Sequence, residues 1–116
     1  MDLEAVRQFC LSREFATEDM PFGPDTLVFR VGGKIFALLS LDEEIQRLNL
    51  KYPAENIEEL RDQYAYVIPG YHMNKSHWNS IMLYDDIDVR HVQQLIDVSY
   101  QLIRNSLTKK QRESLI

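Results

Sequence analysis

Residues 27–41 read LVFRVGGKIFALLSL, and this stretch decides the fold class. Leu27 to Val31 and Lys34 to Leu41 are rich in branched and aromatic side chains, which suit a pleated, half-buried surface. Gly32-Gly33 lies between them. A two-residue hairpin link of type I′ needs positive φ at both positions, and glycine adopts it without steric cost. With Gly32-Gly33 as the turn, Val31 faces Lys34 and Arg30 faces Ile35. The run Ile35-Phe36-Ala37-Leu38-Leu39 is apolar on both faces, which predicts a central strand.

On the C-terminal side, Asp42-Glu43-Glu44 is a short acidic turn. Ile45 to Tyr52 then alternates Leu48 and Leu50 with Arg47, Asn49 and Lys51, predicting a half-buried strand that ends at Pro53. Pro53 at a first helical position, followed by Ala54, Ile57, Leu60 and Tyr64, predicts an amphipathic helix. Its other face carries Glu55, Glu58, Glu59 and Asp62 without a histidine, the pattern of a solvated surface rather than a metal site. Val67 to Met73 and His77 to Tyr84 predict a second hairpin, closed by Asp85-Asp86. Asp88 caps a last helix whose apolar stripe is Val92, Leu95, Ile96, Ser99, Ile103 and Leu107. Arg104, Lys109, Lys110 and Arg112 gather near its C-terminal end, where cations complement the helix dipole or form a phosphate-contacting tail.

On the N-terminal side, Asp2 caps a helix starting at Leu3, with Val6 and Phe9 or Cys10 on its buried stripe. From Phe15 to Asp25 the pattern dissolves. Pro21, Gly23 and Pro24 exclude helix and any central strand. Phe15, Met20 and Phe22 are expected to fold back as buried anchors, with a groove wall as the alternative. The order is helix, hairpin, strand, helix, hairpin, helix. It predicts a single domain over residues 1–116 of α+β class, a two-layer sandwich with a mainly antiparallel sheet covered on one face by the N- and C-terminal helices.

Composition narrows the function classes. The chain is 45% hydrophobic, enough to bury a core. Thirteen Lys and Arg stand against eighteen Asp and Glu, a net charge of -5, which disfavours strong non-specific nucleic-acid binding. The single cysteine, Cys10, excludes an internal disulfide and a multi-cysteine metal site, and its apolar setting predicts an inert thiol. No apolar run approaches the roughly 20 residues of a membrane span, and the acidic start MDLEAVRQF does not resemble a signal peptide. A cytoplasmic protein without cofactor or membrane partner is expected.

Residues 67–84, VIPGYHMNKSHWNSIMLY, hold the only tryptophan and two of the three histidines. With Asn74-Lys75 as turn residues, Met73 pairs with Ser76 and His72 stands opposite His77. Alternation then puts Tyr71, Met73, Trp78, Ser80 and Met82 on one face, expected to be buried, and His72, His77, Asn79 and Ile81 on a presenting face. Two opposed imidazoles lack a third metal ligand, and His77 beside Ser76 or Ser80 lacks an orienting carboxylate, so neither a metal centre nor a nucleophilic triad is expected.

Together, Phe22-Gly23, the VGGKIFALL hairpin, Leu50-Lys51-Tyr52-Pro53, the Pro69-Gly70-Tyr71-His72-Met73-Asn74-Lys75 to His77-Trp78 block and Ser99-Tyr100 resemble the MmcQ/YjbR family over nearly the whole chain. The resemblance implies a CyaY-like fold, shared with frataxin, and DNA binding with the two hairpins as wings. Frataxin's iron binding does not carry over, because Asp2 and Glu4 are followed by Arg7 and Arg13 rather than by further acids. Two non-enzymatic functions follow as expectations. In one, Lys34, His72, Asn74, Lys75, His77 and Trp78 bind DNA weakly and with steep salt dependence, the cations on phosphate and the ring on a base. In the other, a small anionic ligand or a protein partner occupies a groove between the Phe15–Gly23 loop and the second hairpin.

Overall fold

The Gly32-Gly33 hairpin forms in the expected register in a computed structural model that describes residues 1–115. Arg30 faces Ile35, Val31 faces Lys34, and the two glycines sit at φ +58° and +81°. In chain order the elements are α1 (Leu3–Leu11), β1 (Thr17–Asp19), β2 (Thr26–Val31), β3 (Lys34–Ser40), β4 (Arg47–Lys51), α2 (Ile57–Gln63), β5 (Val67–Pro69), β6 (Trp78–Met82), α3 (Val89–Asn105) and α4 (Lys109–Glu113). The strands form one sheet in the order β1-β2-β3-β4-β6-β5, every neighbouring pair antiparallel.

Period-two alternation divides the sheet into two faces. Phe29, Ala37, Leu39, Leu48, Leu50 and Ile81 share a buried cluster with Val6 and Cys10 of α1 and Val92, Leu95 and Ile96 of α3. A bulge in β3 opposite Phe29/Arg30 lets Phe36 join Ala37 on this side, where its ring meets Tyr100 edge-on at 5.2 Å. Ser99 locks the layers together. Its hydroxyl donates to Phe36 O at 2.6 Å and accepts from Lys51 N at 2.8 Å, joining α3 to two central strands. Burial raises the Cys10 thiol to about 12, as an inert core thiol requires.

Four local expectations need correction. Residues 17–19 form a short edge strand, since neither proline of the following segment interrupts them. Phe15, Met20 and Phe22 are 45%, 43% and 64% exposed, so they are not buried anchors. The second helix begins at Ile57 rather than Pro53, because Asn56 N closes a turn onto Pro53 O at 3.0 Å first. The last helix is two. α3 stops at Asn105, Leu107 still reaches the core, and Thr108 opens α4 through a reciprocal capping box with Gln111. No helix among the described residues is long and apolar enough to cross a membrane.

Candidate functional site

Among the described residues, no helix packs on the second sheet face. Cross-strand partners place Val28, Leu38, Asn49 and Ser80 on it, flanked by Ser40, Arg47, Lys51, Trp78 and Met82. Ser80 is nonetheless fully buried, and the chain between β5 and β6 lies over it. Pro69 pairs with Asn79 and Gly70 N donates to Trp78 O at 2.9 Å, after which the chain leaves the ladder. Tyr71 N donates to Ser80 Oγ at 2.9 Å, Ser80 Oγ donates to Asn49 Oδ1 at 2.5 Å, and Asn49 Nδ2 returns to Tyr71 O at 3.3 Å. This closed circuit bends the loop over the sheet.

The connection therefore spans residues 70–77 instead of a two-residue turn at Asn74-Lys75. The ladder sits one residue off the expected register, with Val67 opposite Ile81 and Ile68 opposite Ser80. His72 and His77 are not a cross-strand pair. His72 takes φ +59°, a conformation uncommon for a non-glycine residue, and the Asn74 side chain accepts from Ser76 N at 2.9 Å to form an Asx turn. The faces are also exchanged in the strand itself. Asn79 and Ile81 point to the core, whereas Trp78, Ser80 and Met82 lie on the open face.

Arg61 of α2 holds the far side of this loop. Its Nε donates to Asn79 Oδ1 at 2.6 Å, and its Nη2 donates to Trp78 O at 3.2 Å and to Lys75 O. Asn79 is 1% exposed, and its Nδ2 has no partner among the described residues. The guanidinium fork is thus the one hydrogen-bond partner, among the described residues, of the Asn79 side-chain carbonyl and of Lys75 O, and it shares Trp78 O with Gly70 N.

Between the covering loop and the 20–25 segment lies a cleft of about 370 Å³. Its floor is Leu38 and Ile35; Phe22 forms one wall, and Tyr71, His72 and Met73 form the other. Arg47 supplies the charge. Its guanidinium lies 4.2 Å from the centre of the Tyr71 ring and donates from Nη2 to Glu43 Oε1 at 2.8 Å. Ser40 Oγ fixes the Arg47 backbone, accepting from its N at 2.7 Å. The Tyr71 and His72 rings stand 4.0 Å apart.

Of the residues expected to bind, only His72 reaches the cleft. Asn74, Lys75 and His77 are exposed along the loop, and Lys75 lines a depression shared with Glu55 and Glu58. Trp78 is half-buried on the open face. Lys34 turns away to the C-terminal end of α3, where its Nζ donates to Ser106 O at 3.1 Å, and Arg30 is spent on Asp19 and Gly33 O. Sequence reasoning missed Arg47, although it shares its face with Asn49 and Lys51 by simple alternation. It also missed the third histidine: His91 Nδ1 meets the Tyr66 hydroxyl, and the Tyr64 ring packs on its imidazole at 4.1 Å. Burial lowers the His91 pKa against the pull of Asp88, and burial, with Tyr64 and Asp88 adding, raises that of Tyr66.

Comparison with known proteins agrees with this architecture. A family model described as YjbR matches residues 11–102. The uncharacterized protein YbdF of Escherichia coli O157:H7 is 34% identical over 110 residues, covering 95% of this chain and 90% of that protein. The uncharacterized protein YjbR of Escherichia coli strain K12 is 28% identical over 116 residues, covering 100% and 98%. The crystal structure of Deinococcus radiodurans protein DR2400, which contains a DUF419 domain, superposes with a TM-score of 0.88 at 33% identity, covering 97% of this chain and 86% of that one.

Proposed function

The chain belongs to the YjbR family, and from that premise we propose that it is a binding domain whose site is the cleft on the open sheet face, taking a small anionic ligand. The observation that carries this is the position of Arg47. A guanidinium lines an otherwise mainly apolar hollow, held over the Tyr71 ring, with one hydrogen bond to its five donors among the described residues. A volume of about 370 Å³ lies at the small end of the ~300–1,000 Å³ typical of ligand sites, and an apolar lining with a few placed polar groups is their usual chemistry. The test is a thermal-shift screen of anionic metabolites on the wild-type chain and on Arg47→Ala. A ligand at a hundred times its Kd adds about 2.7 kcal/mol of stability. Hits that persist unchanged in Arg47→Ala would remove the cleft from consideration.

DNA binding by two wings is a second reading with its own support. β3 and β6 are both antiparallel to β4 and therefore run in the same direction, so the Gly32-Gly33 turn and the 70–77 loop lie at one end of the sheet. Three strand spacings separate them, roughly 14 Å. Lys75 is the exposed cation of the 70–77 loop and the net charge of -5 opposes, so binding is weak and falls steeply with salt. A salt titration comparing wild type, Lys75→Ala and Trp78→Ala tests it. Absence of binding by the wild type at low salt would end it.

A further inference from the structure

Resting on the cleft as a ligand site, we propose that its ligand is a compact apolar carboxylate, and that Glu43 is an internal competitor occupying the carboxylate's place on Arg47. Three observations converge. First, the Arg47 guanidinium already holds a carboxylate. Glu43 Oε1 sits 2.8 Å from Arg47 Nη2, and with its side chain 41% exposed it can swing into solvent when replaced. Second, charge matching selects a monoanion. Arg47 is the one lysine or arginine lining the cleft among the described residues, and Asp42 and Glu44 flank its present partner. A carboxylate replaces Glu43 charge for charge. A phosphate dianion would bring a second negative charge into a partly dehydrated hollow with no second lysine or arginine among the described residues to meet it.

Third, two of the polar side chains in the lining are already engaged. Ser40 is bound to the Arg47 backbone, and Asn49 bridges Ser80 and Tyr71. Beyond Thr26, Tyr71 and His72 at its sides, a hydroxyl-rich ligand would lay its polar groups on Leu38, Ile35, Met73 and Phe22. An apolar body fits, and the 64% exposed Phe22 ring loses water when that body enters. Glu43 accordingly sets specificity as well as occupancy: a weak anion does not dislodge it, and a neutral apolar molecule gains nothing from Arg47.

The test is calorimetric titration of the full chain with naphthoate, naphthyl phosphate and naphthol, which share one apolar body and differ in head group, at a pH where the phosphate is dianionic. Naphthoate is expected to bind at least about tenfold tighter than either of the others, the scale of one charge-assisted hydrogen-bonded contact. Glu43→Gln is expected to tighten naphthoate about two- to fivefold, the range of a part-exposed ion pair removed as a competitor. Arg47→Ala is expected to reduce naphthoate to the level of naphthol. Naphthyl phosphate binding as tightly as naphthoate, or a naphthoate affinity unmoved by Glu43→Gln, overturns the inference. In either case a loss of probe binding in Phe22→Ala leaves the cleft standing as a ligand site. If none of the three probes binds, the carboxylate is refuted, and the cleft itself stands or falls on the separate metabolite screen with Arg47→Ala.

Discussion

Gly70 is where the sheet and the cleft cover are joined, and replacing it with alanine separates their contributions. A Cβ at Gly70 would lie 2.8 Å from Trp78 O and 3.0 Å from Trp78 C and Cβ, where ordinary contact begins near 3.4 Å. Two of these atoms are backbone, so no side-chain rotation relieves the clash; the β5–β6 entry must open by about half an ångström. Overpacking of this kind costs roughly 1–3 kcal/mol. A domain of this size loses about 4 °C of Tm per kcal/mol, so the melting temperature is expected to fall by about 4–12 °C. The opening also breaks or lengthens the Gly70 N to Trp78 O bond at 2.9 Å and moves Tyr71 off Ser80, which loosens the wall whose Tyr71 ring lies under the Arg47 guanidinium. Urea melts followed by fluorescence of Trp78, the sole tryptophan, report both the stability and the local environment. Gly33→Ala is the control. It sits at φ +81° with nothing within 4 Å, so it suffers backbone strain of about 1–2 kcal/mol and leaves the cleft untouched. A Gly70→Ala chain within about 0.5 kcal/mol of wild type, with unchanged Trp78 emission, would refute the close-approach argument.

Arg61→Met strips from Asn79 Oδ1 and from Lys75 O their only partners among the described residues and is expected to cost about 3 kcal/mol in urea, with Arg61→Lys restoring less than half because an ammonium cannot reproduce the fork. Ser99→Ala leaves Phe36 O and Lys51 N facing a buried methyl and is expected to cost about 1–3 kcal/mol; a neutral result would mean the two groups find each other or water. His91 has a folded pKa below its unfolded value of about 6.5, so the unfolded chain takes up its proton first. Stability is therefore lost as the pH falls through about 6.5 and levels off below the folded pKa; melts of wild type and His91→Phe across this window should diverge in slope, and parallel curves would count against it. The Cys10 thiol, fully buried and raised to about 12, should react with a thiol reagent only at the rate of opening of the α1 contact, becoming fast in urea.

What could be read from the chain was what backbone chemistry compels. Gly32-Gly33 permits one tight turn, and the flanking apolar residues leave one register, so the pairing of Arg30 with Ile35 followed directly. The same holds for Asp2 and Asp88, each accepting first-turn amides as an N-cap should. The break before α4 was equally legible, since Thr108 and Gln111 are spaced as a capping box, but a stripe continuing to Leu107 suggested unbroken helix. β1 was not legible. Three residues, Thr17 to Asp19, carry no alternation, and they become a strand only because Glu18 and Asp19 reach Arg7 and Arg30 across tertiary contacts.

The second hairpin shows why the site was harder than the fold. Pro69-Gly70 and Asn74-Lys75 are both turn signals, and choosing the second as a two-residue turn moved the ladder by one position, while taking the Trp78 side of β6 as the buried one exchanged the two faces of that strand. The choice was settled by contacts outside the hairpin. Ser80 lies opposite Asn49, and the Asn49–Ser80–Tyr71 circuit gives the departing chain a polar foothold on the open face; Arg61 supplies another from α2. Once the loop is carried over the sheet, the histidines conspicuous in the sequence part company, and a residue that alternation alone had left as an ordinary polar strand position, Arg47, gains an aromatic ring on one side and an apolar hollow beside it. Binding chemistry here arises from which strand face is left uncovered and which loop returns to it. Replacing Ser80 with alanine should accordingly disturb the cleft more than replacing His77, though Ser80 itself never reaches a ligand.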